Sequence, residues 1–317
     1  VQRAEGYAEV ARHRPAERVY SGPGSITGLG PLRLLGYAER RRKGAAMNHG
    51  MLSVVLPAHN EVGNLVPVID RALAVLPELF DRYEIIVVDD GSTDGTADLS
   101  NRIAAEHPCV HVIHHPVNRG YGAALASGFD ATHGDYVMFM DADQQFDIAD
   151  LALLAPFIGE YDIVAGYRLQ RQDAAYRRLY AEIFRLAMWA LFGVALRDID
   201  CAFKVIRGDL LRSLTLTSPG ALINTEIMAK AAHAGATWIE VGVNHYPRAS
   251  GQSSGGSPRV VFRAMRETVQ LWLRLRREET RPTAKLARRP SAAKGALVGA
   301  LVGTLFALGM TLRRRRP

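Results

Sequence analysis

The chain has 317 residues, 48% hydrophobic and 22% charged, which excludes a disordered protein and allows one large domain or two smaller ones with a substantial core. Two cysteines, Cys109 and Cys201, exclude a disulfide framework and point to a reducing compartment. The net charge of +7 is unevenly spread: residues 1–50 carry 9 Lys/Arg against 4 Asp/Glu, residues 274–317 carry 12 against 2, and residues 51–273 carry 18 against 26. Basic ends around an acidic middle argue against nucleic acid as a partner; they fit a membrane surface, or simply solubilising tails.

Residues 1–50 are rich in Arg, Gly and Pro without sustained periodicity and read as a disordered N-terminal extension. Val1 opens the chain and methionines follow at Met47 and Met51, so an upstream extension or an alternative start is expected. From Leu52 a regular alternation begins. Strands are expected over 52–57, 84–89, 110–114 and 136–140. Helices are expected over 62–76, 94–106 (with Ser92 or Thr93 near its cap) and 120–131. Such alternation implies a mostly parallel sheet covered on both faces, with ligands beyond the carboxyl ends of its strands. Pro57–Glu61, Asp89–Ser92 and Asp141–Asp143 all fall at those ends.

The second half is less regular. Strands are expected over 163–166 and 237–243, and helices over 180–196 (with Trp189 and Phe192) and 224–234. Residues 259–277 are amphipathic, with apolar positions set among arginines. This suits a helix in a membrane interface or one packed on the domain. Residues 295–312 are uncharged; as a helix they would be roughly 27 Å long, close to a ~30 Å hydrocarbon core, and read as a single C-terminal span. Arg313–Arg316 follow and Lys294 precedes, so both flanks are basic and the orientation stays open. Gly295, Gly299 and Gly303 form a small-residue stripe suited to a homo-oligomer of spans.

Asp141 and Asp143 follow the strand 136–140, and side chains two apart in extended chain point the same way. Both carboxylates can reach one hard cation, Mg2+ or Mn2+; the plain alternative is an acidic, solvated turn. Asn118, Arg119 and Gly120 open a helix whose N-terminus favours anions. Gly120 and Gly122 also suit simple turn geometry. Cys109, His111, His114 and His115 match no standard zinc spacing and read as structural or solvated.

Four motifs occur in order: Leu56-Pro-Ala-His-Asn-Glu61, Val87-Val-Asp-Asp-Gly-Ser-Thr-Asp-Gly-Thr96, Asn118-Arg-Gly-Tyr-Gly122 and Asp141-Ala-Asp143. The series resembles the family 2 glycosyltransferases, of GT-A (Rossmann-like) fold, over roughly residues 52–275. Within that family the chain is most similar to the polyprenyl-phosphate sugar synthases of the dolichol-phosphate mannose synthase kind. Asp141-Ala-Asp-Gln-Gln145, Asp200-Cys-Ala-Phe-Lys204, Glu240-Val-Gly-Val243 and Arg248-Ala-Ser-Gly-Gln-Ser253 carry that likeness. Gln144, Ala202 and Gly242 depart from the usual residues.

The resemblance implies an α/β catalytic domain over 51–257; the amphipathic pattern and the apolar run add a juxtamembrane helix and linker over 258–294, a transmembrane helix over 295–312 and a basic tail over 313–317. Pro57, Ala58, Glu61, Asp89, Asp90, Asn118, Arg119, Gly120, Asp141 and Ala142 would hold the nucleotide-sugar. Asp141 and Asp143, with Gln145 in support, would hold Mg2+ or Mn2+. Arg168, Arg177, Arg178, Lys204, Arg248 and Ser253 would bind phosphates, for which arginine's planar fork is suited. Asp141, Asp143, Asp200 and Arg248 form the expected catalytic set.

A phosphate acceptor is ionised at neutral pH and needs no strong base, whereas a hydroxyl acceptor needs one of Asp198, Asp200 or Glu226. Asp200 is expected to position the sugar, or else to pair with Lys204. The resulting expectation is an inverting, membrane-anchored transferase. It would use a nucleotide-sugar donor and a polyprenyl phosphate acceptor, with its catalytic domain in the cytoplasm. Its rivals are transfer to a glycan or lipid hydroxyl and a non-catalytic nucleotide-binding module.

Overall fold

The computed structural model describes residues 17–21, 25–29, 50–169, 175–248 and 258–279, with side chains described over 50–169, 182–248 and 266–277. In chain order the main elements are β1 (Glu17–Ser21), β2 (Ser25–Leu29), β3 (Met51–Ala58), α1 (Leu65–Leu79), β4 (Arg82–Asp90), α2 (Thr96–Glu106) and β5 (Val110–His115). They continue with α3 (Tyr121–Asp130), β6 (Tyr136–Met140), α4 (Leu151–Leu154), β7 (Ile163–Arg168) and α5 (Ala175–Phe192). The last are β8 (Phe203–Arg207), α6 (Gly208–Ser213), α7 (Ile223–His233), β9 (Trp238–Val243) and α8 (Pro258–Glu279).

The strands form one sheet in the order β2-β1-β9-β7-β8-β6-β3-β4-β5. From β9 to β5 it is a mostly parallel seven-strand sheet, with β8 alone running antiparallel to both its neighbours, β6 and β7. β3 and β4 are buried almost without interruption, as parallel strands covered on both faces are. α1 buries Leu65, Val68, Ile69, Ala72, Val75, Leu76 and Leu79, the three-and-four spacing of an inward stripe. Phe139 of β6, Phe203 of β8 and Phe157 are fully buried, each contributing about 1.5–3 kcal/mol over an exposed state.

Three features depart from the expected elements. β8 is the first: Phe203-Lys-Val-Ile-Arg207 is short and carries a charge at two of five positions, so neither alternation nor an apolar run announces it. The expected helix over 180–196 spans Ala175–Phe192 instead and ends where Gly193 takes φ 73°, a stop that favours glycine. Within the first 50 residues, expected to be disordered, β1 and β2 pair antiparallel and β1 joins β9.

α8 packs against α5 and α7, burying Thr268, Leu271 and Leu275 while Leu273 stays exposed. Among the described residues no helix is long and apolar enough to cross a membrane. The expected span over 295–312 and its glycine stripe lie outside the described residues.

Candidate active site

The carboxyl ends of β3, β4 and β6 converge on one crevice. Pro57 and Ala58 end β3 opposite Val88 and Asp89 of β4, and Asp141 directly follows β6. The loop after β3 is tied to the loop after β4: Asn60, at φ 59°, donates its N–H to Ser92 Oγ at 2.9 Å and accepts from the Thr93 N–H at 2.8 Å. Glu61 donates its N–H to Thr96 Oγ1 at 3.0 Å. Helix α2 is entered through Asp94, which accepts from the Thr96 N–H at 3.0 Å, and not through Ser92 or Thr93.

Asp89 and Asp90 are buried and engaged. Asp89 accepts from the Ser92 N–H at 3.1 Å and from His114 Nδ1 at 3.0 Å. Asp90 accepts from His115 Nδ1 at 2.6 Å and from the N–H groups of Arg119 and Gly120, both at 2.8 Å. Burial alone would raise the Asp90 pKa, but the Arg119 N–H, the His115 ring and the Gly120 N–H together hold it below the ordinary carboxylate value. His114 and His115 therefore orient the loop acids.

The anion at the start of α3 is thus the protein's own Asp90. The next N–H groups are also taken, since Gly122 and Ala123 donate to Pro219 O at 2.8 and 3.2 Å. Gly120 has φ +97°, and a Cβ on Gly122 would overlap the Ser218 and Gly220 carbonyls, so both positions need glycine for this close approach. The 217–219 strap is anchored by Glu226, which is fully buried and accepts from Thr217, Ser218 and Lys230.

Asp141 and Asp143 lie side by side, as their spacing predicts. Asp141 Oδ1, Tyr121 Oη and Asn224 Oδ1 are buried together and none makes a well-formed hydrogen bond, although the Tyr121 hydroxyl lies close enough to the Asp141 carboxylate to favour its charge. Burial, and then the Asp143 charge, pushes the Asp141 carboxyl up to about 7, against the lowering influence of Tyr121, Arg248 and Arg168. Asp143 Oδ1 accepts from the Gln145 N–H at 3.0 Å, while Oδ2 meets Arg248 Nη2 at 3.0 Å and Nε at 3.2 Å. Gln145 directs its Nε2 to Tyr246 O at 3.3 Å, and Gln144, at φ 62°, reaches Asn64. An orphaned, buried carboxylate oxygen beside a second acid suits a divalent cation, so the donor set fits the expected metal.

On the other side of the crevice the expected phosphate-binding groups have internal partners. Arg168 makes a bidentate pair with Asp198, at 2.6 Å from Nε and 2.8 Å from Nη2. Lys204 is fully buried and donates to the carbonyls of Ile199 and Cys201, with its ammonium 5.5 Å from the Phe139 ring centroid. Burial lowers its pKa. Asp200 is exposed on the same turn. Glu240, buried in β9, accepts from the Arg197 N–H at 2.7 Å while its Oε2 has no partner. Burial pushes its carboxyl up to about 7.

The side chains of Arg177, Arg178 and Ser253 lie outside the described residues. Asn118 and Arg119 are exposed at the mouth. Sequence reasoning passes over Tyr121, Asn224, Asp198 as partner of Arg168, and the buried Glu240. Tyr121 sits inside the third motif, so a signal exists; Asn224 opens a helix distant in sequence and has none.

The family model "Glycosyl transferase family 2" matches residues 53–215. The chain is 33% identical over 215 residues to the undecaprenyl-phosphate 4-deoxy-4-formamido-L-arabinose transferase of Pseudomonas aeruginosa, covering 67% of this chain and 62% of that protein. It is 30% identical over 213 residues to the transferase of the same description from Shewanella sediminis, covering 66% and 63%. The chain therefore spans somewhat less than two thirds of the length of these relatives. Among solved structures, mannosyl-3-phosphoglycerate synthase from Rubrobacter xylanophilus superposes with a TM-score of 0.57 at 23% identity, covering 80% of this chain and 81% of that one. Glucosyl-3-phosphoglycerate synthase from Mycobacterium tuberculosis, in complex with Mn2+, uridine-diphosphate and glucosyl-3-phosphoglycerate, gives 0.56 at 23% identity, covering 75% and 83%. With the family match covering about half of the chain, and a sheet that places the four motifs on one rim, the chain belongs to glycosyl transferase family 2.

Proposed function

We propose that the protein moves a sugar, with inversion, from a nucleotide-sugar donor to a polyprenyl phosphate at the cytoplasmic face of a membrane. The observation that carries this reading is the buried, unpartnered Asp141 Oδ1 beside Asp143 at the carboxyl rim of the sheet. Those two acids would hold Mg2+ or Mn2+, which when bound supplies positive charge to a departing nucleoside diphosphate. The Mn2+ and uridine-diphosphate in the Mycobacterium tuberculosis neighbour agree with that donor set.

Pro57, Ala58, Glu61 and Asp89 line the nucleotide side of the rim, and Arg248 stands where its guanidinium can pass to a phosphate oxygen. Arg168, fixed by Asp198, directs its charge toward Asp141. Asp200 serves as the positioning residue near the sugar.

Two observations favour a phosphate acceptor over a hydroxyl. The relatives' description names undecaprenyl phosphate. Of the three carboxylates offered as a base, Asp198 is bound to Arg168 and Glu226 to Thr217, Ser218 and Lys230. That leaves only the exposed Asp200 for a hydroxyl acceptor, whereas an acceptor already ionised needs no base. The segment 295–312 and helix α8 would keep the crevice near the lipid's phosphate.

The test is incubation of membranes containing the protein with polyprenyl phosphate, Mg2+ or Mn2+, and a panel of nucleotide sugars. A lipid-linked monosaccharide of inverted anomeric configuration is expected. Product on a hydroxyl acceptor alone, or none with any donor, overturns the reading.

A further inference from the structure

Arg248 is the cation that faces the acid pair. Its Nη2 bridges Asp143 Oδ2 at 3.0 Å and Glu61 Oε1 at 3.4 Å. The position is built rather than incidental. Tyr246 donates its N–H to Gln145 O at 2.9 Å, and Asn244 donates its N–H and Nδ2 to Asp150 at 2.5 and 3.1 Å. These bonds fasten the segment carrying Arg248 to the loop carrying the acids. The Asp143 side chain is 5% exposed and that of Arg248 29%, so the pair is only partly screened by water.

The two acids are treated unequally: Asp143 is neutralised by the guanidinium, and Asp141 Oδ1 has no hydrogen-bond partner. A dication held by the acid pair and a guanidinium on Asp143 would repel each other, and in a partly buried site that repulsion is large. A diphosphate offers Arg248 a new anionic partner of matching geometry.

We infer that Arg248 is a built-in counter-ion that occupies Asp143 until a divalent cation and a nucleoside diphosphate arrive together, so that each strengthens the other's binding. The inference rests on the metal-site reading above. It makes Arg248 a gate against metal loading without nucleotide. Removing the guanidinium then has opposite effects on the two ligands: metal alone binds more tightly, and nucleotide binds less tightly. Mere structural damage weakens both.

The test uses the full chain in detergent, with free Mn2+ followed by electron paramagnetic resonance. Titrations are made without nucleotide and with each of UDP, GDP, ADP and CDP, for the wild type, Arg248→Met and Arg248→Lys. Wild type is expected to bind Mn2+ weakly alone and at least about fivefold more tightly with one of the nucleotides, within the usual range of coupling between sites. Arg248→Met is expected to bind Mn2+ alone about tenfold more tightly than wild type, with reduced coupling. Arg248→Lys should fall between them, and its titration decides the matter if the Met variant does not fold. If wild type binds Mn2+ with nucleotide but neither variant gains affinity for Mn2+ alone, the counter-ion role is wrong and the metal site stands. If wild type binds no Mn2+ with any nucleotide, the site reading fails and the inference with it.

Discussion

The two sides of the crevice use charge in opposite ways. On the β3–β4–β6 side, acids sit at strand ends in contiguous motifs, and one of them, Asp141, keeps a buried oxygen without a partner. On the β7–β8–β9 side, Arg168 and Lys204 are buried or half-buried and spent on internal structure, while Glu240 is held through one oxygen only. A charged residue is therefore a guide to chemistry only where the fold leaves it unsatisfied. Inside a sheet or strap, the same residue type is a brace.

Substitutions on each side should separate the two uses. The largest effect is expected from Asp141→Asn. Losing a metal-binding acid should lower transfer by at least about 100-fold, comparable to removing a group that stabilises transition-state charge. The neutral amide should leave the melting temperature of the metal-free protein unchanged or raised, because Asp141 is already pushed up to about 7. A fall in melting temperature that matches the lost activity would show that Asp141 braces rather than reacts.

Lys204→Met tests the opposite side. It strands the Ile199 and Cys201 carbonyls, and chemical denaturation should show a loss of about 3 kcal/mol. Intact stability with lost transfer would instead make Lys204 a ligand-binding group.

Glu240→Gln has a pH signature. The folded carboxyl titrates at about 7 against an ordinary 4.5, so the native state holds the proton more tightly than the unfolded chain. Its contribution to stability is complete below about pH 4.5 and is lost as pH rises through 7. The glutamine variant lacks that loss. Its stability relative to wild type should rise between pH 4 and pH 8 by up to about 3 kcal/mol, seen in denaturant midpoints across pH. A pH-independent difference would place a settled charge on Glu240.

The smallest effect is expected on the surface. Glu182→Ala breaks an exposed i,i+3 pair with Arg185 and should change stability by less than about 0.5 kcal/mol.

The same contrast explains what could be read from the sequence. Strand ends and the acids that follow them are local, so β3, β4, β6 and the Asp141–Asp143 pair are legible from periodicity and spacing. Partnerships across the chain are not. Asp90 is legible as a motif acid, but its being held by His115, Arg119 and Gly120 is visible only in the fold. Lys204 looks like a phosphate-binding group until Phe203-Lys-Val-Ile-Arg207 proves to be a central strand. Arg248 and Asp143 meet only because the segment after β9, a strand separated from β6 by β7 and β8, reaches back to the acid loop through Tyr246, a fact of topology that no window of residues contains.

The carboxylate of Asp90 at the head of α3 carries a practical corollary. A helix start that would otherwise attract sulfate or orthophosphate is already filled from within. Inorganic anions in buffers should therefore compete poorly with the sugar donor, and inhibitors designed as bare phosphate mimics should gain little there. Compounds that bring their own chelating group to the two acids have the better prospect.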